Sequence, residues 1–178
     1  MRRIYEETLV SLDGVIEDPA QWVGDYFDDE FLKATFERLV TRDAMLMGRR
    51  TYEVLAKDWS AQTGQYADLI NGIRKYVFSS TLEVAAWNNS TLVRGDVVAA
   101  VKSLKEQDGG DLMIWGHGLF GQTLLANHLL DELRISIFPV FVGHGKLLFR
   151  ENESGTLKLI GATSLETGAV VLRYQPAK

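Results

Sequence analysis

The chain contains no cysteine. That absence excludes disulfides, thiolate metal ligands and a cysteine nucleophile, and it fits a reducing compartment. Proline is scarce, at 3 residues in 178, and neither a low-complexity tract nor a linker interrupts the chain. Histidine occurs only at His117, His128 and His144. No two of these have the i, i+4 spacing of helical metal ligands, so no metal site is expected. His117 and His144 each lie between glycines, and exposed loop positions are expected for both. Positive charge is not in excess: the formal net charge is -5. Nucleic acid and anionic membrane surfaces are therefore not expected partners, since phosphate binding needs clustered Lys and Arg. Arg2-Arg3 and Arg49-Arg50 are the notable basic pairs. No apolar run approaches the roughly 18 residues of a membrane span. The start, Met1 to Glu7, is too polar and acidic for a signal peptide, so a cytoplasmic location is expected. No Gly-x-Ser-x-Gly elbow and no Walker pattern occurs, which disfavours hydrolase and nucleotide-triphosphatase chemistry.

What remains is an ordinary globular composition, 46% hydrophobic and 24% charged, of a length that suits one domain over 1–178. Residues 4–11 have the β-branched content of a first strand, turned by Leu12-Asp13-Gly14. A loop over 15–27 leads to a helix from Asp28-Asp29-Glu30 to about residue 41, with acidic groups at its positive end. Ala44–Met47 reads as a strand buried on both faces, ending at Gly48. A helix over 50–56, a polar loop around Trp59–Gly64 and a strand over 74–79 follow. Leu92-Val93 marks a short strand, and Asp96 caps a helix running to about 107. Asp111–Trp115 is another buried strand, and a helix over 119–128 carries Leu119, Leu124, Leu125 and Leu129 as its apolar stripe. Strands over 132–138, 156–162 and 168–174 complete the chain, the last two joined at Glu166-Thr167-Gly168. Strands alternating with helices predict an α/β fold with a largely parallel sheet and a closing antiparallel hairpin. Ligands of such sheets bind outside the carboxyl ends of the strands.

Three segments fall at such ends. Gly48-Arg49-Arg50-Thr51 joins a turn to a helix start, where free N–H groups and two guanidinium groups suit a phosphate; a solvated arginine pair fits the same residues. Phe78-Ser79-Ser80-Thr81 offers hydroxyls that hold a phosphate or merely form a Ser/Thr turn. Trp115-Gly116-His117-Gly118-Leu119-Phe120 lets a bulky ligand approach the backbone, as any tight glycine turn does. Among the carboxylates between Asp13 and Glu30, Asp28 shares a helical face with Leu32, Thr35, Phe36 and Leu39. It suits either an N-cap or a proton-delivering group looking into a cleft.

Taken in order, Ser11-Leu12-Asp13-Gly14-Val15-Ile16, Met47-Gly48-Arg49-Arg50-Thr51-Tyr52-Glu53, Val77-Phe78-Ser79-Ser80 and Ile114-Trp115-Gly116-His117-Gly118-Leu119-Phe120 resemble the dihydrofolate reductase superfamily. Leu130-Asp131-Glu132-Leu133, Phe138-Pro139-Val140 and Gly143-His144-Gly145-Lys146-Leu147-Leu148-Phe149 are similar to the C-terminal reductase domain of riboflavin-biosynthesis deaminase-reductases, and more closely to its stand-alone bacterial members. The resemblance covers nearly the whole chain. It implies a three-layer α/β/α fold with a mixed, mostly parallel central sheet and a C-terminal β-hairpin. It also implies a homodimeric oxidoreductase of the riboflavin pathway, acting on a small heterocyclic or carbonyl substrate with NADPH as hydride donor. The backbone of Leu9 and Ile16 would hold the nicotinamide carboxamide. Gly48, Arg49, Arg50 and Thr51 would receive phosphates, and Phe78, Ser79 and Ser80 would take the adenosine side. Gly116, His117, Gly118, Leu119 and Phe120 would form the pyrophosphate loop. Leu32 stands where folate reductases carry an acid on the first helix, with Asp28 one turn earlier as the candidate catalytic group. A folate or pterin reductase, and a nucleotide-binding paralogue without catalysis, are the alternatives.

Overall fold

The computed structural model describes residues 1–150 and 154–177. Strand β1 (Ile4–Ser11) is followed by two single 3-10 turns, Pro19–Gln21 and Gly24–Tyr26. Then come α1 (Asp29–Leu39), β2 (Arg42–Gly48), α2 (Arg49–Trp59), α3 (Gln65–Gly72), β3 (Arg74–Phe78) and β4 (Ser90–Val93). The order continues with α4 (Val97–Glu106), β5 (Asp111–Trp115), α5 (Leu119–Ala126), β6 (Glu132–Phe138), β7 (Leu157–Ser164) and β8 (Val170–Pro176). The strands form one sheet in the order β4-β3-β2-β5-β1-β6-β8-β7. The first six are mutually parallel. Strand β8 runs antiparallel to β6, and β7 antiparallel to β8. The mixed sheet with its closing hairpin is the architecture expected from the sequence.

The apolar content of the central strands dictates the layering. Ala44, Met45, Leu46 and Met47 of β2 are at most 1% exposed. So short a run, buried on both faces, requires cover on both. On one face Leu46, Leu112 and Leu133 pack with Val101 and Leu104 of α4 and Leu124 of α5. On the other Met45, Met47, Val77 and Met113 pack with Leu39 of α1, Tyr52 of α2 and Ile70 of α3. Each such side chain removed from water contributes about 1.5–3 kcal/mol.

Local signals place most boundaries. The Asp96 carboxylate accepts from the Ala99 N–H at 3.0 Å, capping α4. The structure differs from the sequence expectation in α3, in the closing strands and in the apolar stripe of α5. Sequence signals do not mark α3, an eight-residue helix whose start, Gly64, offers no side-chain cap; burial of Ala67 and Ile70 against the sheet holds it. The closing strands begin one to two residues later than expected, because Gly168, at φ 86°, still belongs to the turn in which Leu165 N–H donates to Ala169 O. The apolar stripe of α5 excludes Leu119, which is 66% exposed at the helix start. Among the described residues no helix is long and apolar enough to cross a membrane.

Lys75, fully buried in β3, donates to the carbonyls of Asn71, Ile73 and Asn88 at 2.8–3.1 Å and sits 4.3 Å above the Trp87 ring. Burial lowers its ammonium pKa to about 8. The carbonyls belong to the end of α3 and to the segment entering β4, so this lysine joins three pieces of chain.

At the opposite end of β1, Asp13 ties the strand's exit to the 139–143 segment. Its carboxylate accepts from Ser11 Oγ at 2.6 Å and from the N–H groups of Val142 and Gly143 at 3.1 and 2.7 Å. These bonds, Ser11 first, lower its pKa to about 2. A depressed carboxyl pKa contributes stability that is present above the unfolded value and is lost as pH falls through the folded one. Ser11→Ala is expected to move the Asp13 carboxyl titration, followed by NMR, upward toward 3.8. An unmoved titration would show that Ser11 does not set it.

Candidate functional site at the carboxyl edge of the sheet

Because six strands are parallel, Val93, Phe78, Gly48, Trp115, Ser11 and Phe138 all end at one edge. The segments singled out in the sequence converge there. Gly48 and Phe78 are register partners. A Cβ on Gly48 would lie 3.5 Å from Cβ of Phe120, and the rings of Phe78 and Phe120 pack at 4.7 Å. Leu9 and Ile16 lie to the side of this junction. Leu9 packs against the Val23, Phe31 and Phe138 cluster. Ile16 packs on the α4–α5 face, and its N–H donates to Lys146 O at 2.8 Å.

Two helices begin at this edge without a side-chain cap, α2 at Gly48 and α5 at Gly118. The first N–H groups of a helix have no intrahelical partner and carry partial positive charge, the chemistry of an anion site. A Cβ on Gly116 or Gly118 would meet no atom within 4 Å, so the space above the turn is open.

The adjacent arginines diverge. Arg49 donates to Thr81 Oγ1 at 3.1 Å and lies beside the 79–81 hydroxyls. Arg50 donates to Glu17 Oε1 at 3.0 Å, a carboxylate also paired with Lys146 at 3.2 Å. The Lys146 and Arg50 bonds hold the Glu17 carboxyl below its ordinary pKa. Arg94 joins the Arg49 side, its guanidinium donating to the carbonyls of Ser80 and Leu82 at 3.2 and 2.7 Å. Sequence reasoning missed Arg94. Its position just after β4 was the available signal, obscured by how short that strand is. Ser79 holds its own turn, with Oγ accepting from the N–H groups of Thr81 and Leu82 at 3.2 and 2.9 Å.

The expectation of an exposed loop histidine fails at His117. Its flanking glycines are exposed, but the imidazole is turned inward and is 1% exposed. Nδ1 lies 2.5 Å from Oε1 of Glu6, itself fully buried on β1. The physical reason is a matched hole. Gly121 has no Cβ, and one placed there would fall 2.5 Å from Glu6 Oε1. Burial pushes the Glu6 carboxyl above its ordinary pKa, and the hydrogen bond and charge of His117 pull it partly back. Glu6 was invisible to sequence reasoning because it sits in an ordinary strand pattern. His128 and His144 are exposed as expected.

On the α1 side of β1 an aromatic cluster closes the edge. Trp22, Tyr26 and Phe31 pack around Phe138 at ring distances of 5.6–6.1 Å, with Phe27 against Phe31 at 4.9 Å. Asp28 stands half-buried at its margin, and its Oδ1 accepts from the Phe31 N–H at 2.8 Å. Asp28 is therefore the N-cap of α1, and the buried stripe behind it is Phe31, Thr35 and Leu39. A separate groove of about 650 Å³, lined by residues including Arg42, Asp68, Arg74 and Asn89, opens where β2, β3 and β4 begin and contains none of the candidate residues.

The chain is similar along its length to the uncharacterized protein YyaP of Bacillus subtilis, at 29% identity over 97% of this chain and 94% of that protein. Among solved structures it superposes on a putative riboflavin biosynthesis protein from Shewanella sp. PV-4 with a TM-score of 0.75, at 23% identity and 99% coverage of both chains. It also superposes on a diaminohydroxyphosphoribosylaminopyrimidine deaminase/5-amino-6-(5-phosphoribosylamino)uracil reductase from Thermotoga maritima with a TM-score of 0.69, at 15% identity over 99% of this chain and 57% of that one. The model of the RibD C-terminal domain matches residues 3–171. With its parallel sheet, two uncapped helix starts at one edge and this match over nearly its full length, the chain belongs to the RibD C-terminal domain family.

Proposed function

We propose that the protein is an NADPH-dependent reductase of a small heterocyclic or carbonyl substrate, of the riboflavin-pathway type. Membership of the RibD C-terminal domain family supports the reductase class. The observation that carries the cofactor assignment is the convergence of two uncapped helix starts with Arg49 at one sheet edge. That set fits a dinucleotide with three phosphates: cations and N–H groups abound, and the open space over Gly116 and Gly118 leaves room for the diphosphate. NADPH, when bound, supplies the hydride.

In this reading Arg49, Ser79, Ser80 and Thr81, backed by Arg94, hold the 2′-phosphate. Arg50, Thr51 and the α2 start face the phosphates. Gly116, His117, Gly118, Leu119 and Phe120 form the diphosphate turn, with Phe78 below the adenosine. Leu9 and Ile16 flank the nicotinamide beside the aromatic cluster, which suits a flat substrate ring. Asp28 or a water delivers the proton, and the second Asp28 oxygen is the one assigned to it. A homodimer is the proposed assembly. Within the apolar stretch 135–142, Ile135 and Phe138 are core but Phe141 is 77% exposed, and Phe141 with the exposed Leu159 and Ile160 of edge strand β7 supports this assembly.

NADPH at 100 times its dissociation constant is expected to add about 2.7 kcal/mol to the folded state, a rise in Tm of about 5–11 °C for a chain of this size. NADH is expected to raise it less. Arg50→Ala, on the Glu17 side, is expected to weaken both dinucleotides alike, whereas Arg49→Ala is expected to weaken NADPH more than NADH, by about tenfold or more, because its guanidinium lies beside Thr81. Equal losses for the two dinucleotides in Arg49→Ala would remove the 2′-phosphate role, and no shift with either would leave a paralogue that does not use this cofactor.

Asp28→Asn separates two roles, because Asn caps a helix as well as Asp does. An unchanged Tm with a fall in kcat of about a hundredfold is the outcome expected of a proton donor. Unchanged turnover would leave Asp28 a helix cap only.

A further inference from the structure

The Glu6–His117 pair is buried more completely than any cap or turn requires. Both side chains are wholly shielded from solvent, and each keeps one polar atom, Glu6 Oε2 and His117 Nε2, without a partner among the described residues. Burying such groups is costly, and a hydrophobic pair of similar volume would stabilise the fold at least as well. Burial favours the uncharged form of the Glu6 carboxyl, and the contact with His117 draws it partly back. Its location suggests what it does. β1 grips the 116–118 turn twice with consecutive residues: the Glu7 carbonyl accepts from the Gly116 N–H at 2.7 Å, and the Glu6 carboxylate meets His117 Nδ1. The Phe149 ring packs on the imidazole in a T-shaped arrangement, with ring centroids 5.7 Å apart. With His117 pulled inward, Gly118 and the first N–H groups of α5 are left facing the open edge.

We propose that Glu6 and His117 are positioning residues for the cofactor diphosphate, acting through the backbone of the 116–118 turn. The proposal rests on the cofactor assignment above, and it changes the part His117 plays. The imidazole does not touch the phosphates; it anchors the turn that does. The bond to be kept is one hydrogen bond between Nδ1 and the side chain at position 6. Glutamine supplies an acceptor or a donor there, whereas an apolar side chain supplies neither.

The test compares dissociation constants for NADPH and for adenosine 2′-phosphate, which carries no diphosphate, in the wild type, in Glu6→Gln and in the volume-matched double variant Glu6→Leu/His117→Phe. The double variant removes the pair without stranding either partner, so it is expected to fold; its Tm without ligand verifies that. NADPH affinity is expected to fall about tenfold in the double variant, the order of one lost hydrogen bond to a charged group. Adenosine 2′-phosphate affinity should stay within about twofold, since no contact to that ligand changes. Glu6→Gln should bind NADPH as the wild type does. Unchanged NADPH affinity in the double variant overturns the proposal, as does an equal loss for both ligands, which would mark general damage. Should the double variant not fold, a loss in Glu6→Gln that is equal for both ligands overturns it and retained NADPH affinity supports it. A wild type that binds adenosine 2′-phosphate or nothing, but not NADPH, overturns the cofactor assignment itself and this proposal with it.

Discussion

Everything at the functional edge depends on six strands running the same way. Parallel neighbours need crossovers, and apart from the 79–89 link between β3 and β4 the crossovers here carry helices that bury both faces of β2 and β5. Once that direction is set, every strand delivers its carboxyl end, and the turn following it, to one side of the molecule. The segments after β2, β3 and β5 are far apart in sequence, yet Arg49 reaches Thr81 across 32 residues and Phe120 packs on Phe78 across 42. The antiparallel pair β7–β8 adds width on the far side of β6 without contributing a turn to this junction.

The two ends of the sheet treat charge in opposite ways. At the amino ends, cations are matched inside the fold: Arg2 with Asp43, Lys105 with Asp131, and Arg42 with Asp111. Arg2 and Lys105 are 3% and 7% exposed. Removing Asp43 or Asp131, each side chain 33% exposed, would leave a buried cation behind, so these two pairs hold the register of the chain entering the sheet. At the carboxyl ends the cations stay outside. Among the described residues Arg49 and Arg50 pair only with the partly exposed carboxylates Glu53 and Glu17, contacts worth little in water and easily exchanged for a stronger anion. The Glu6–His117 pair is the exception, a buried pair at the open end, placed under the turn that a diphosphate would meet.

Much of the architecture was legible because it follows from local patterns. The length and β-branched content of β1, the apolar runs within β2 and β5, and the acidic caps at Asp28 and Asp96 are readable from residue type and spacing alone. Where local chemistry was silent, the reading faltered. Helix α3 has no cap and takes its stability from burial of Ala67 and Ile70, which a sequence window does not contain. Arg94 follows a four-residue strand too short to announce its end.

By itself, then, the sequence determined most element types, the largely parallel sheet with its closing hairpin, and the three turn segments that follow β2, β3 and β5, because periodicity, capping and turn chemistry act within a few residues. Only the tertiary structure decided which way each side chain faces. It separated Arg49 from Arg50, committed one oxygen of Asp28 to the start of α1, and turned His117 away from solvent. That last choice required a carboxylate 111 residues away in sequence and a glycine at 121 small enough to admit it. Such fits are set by three-dimensional space, and no spacing along the chain encodes them.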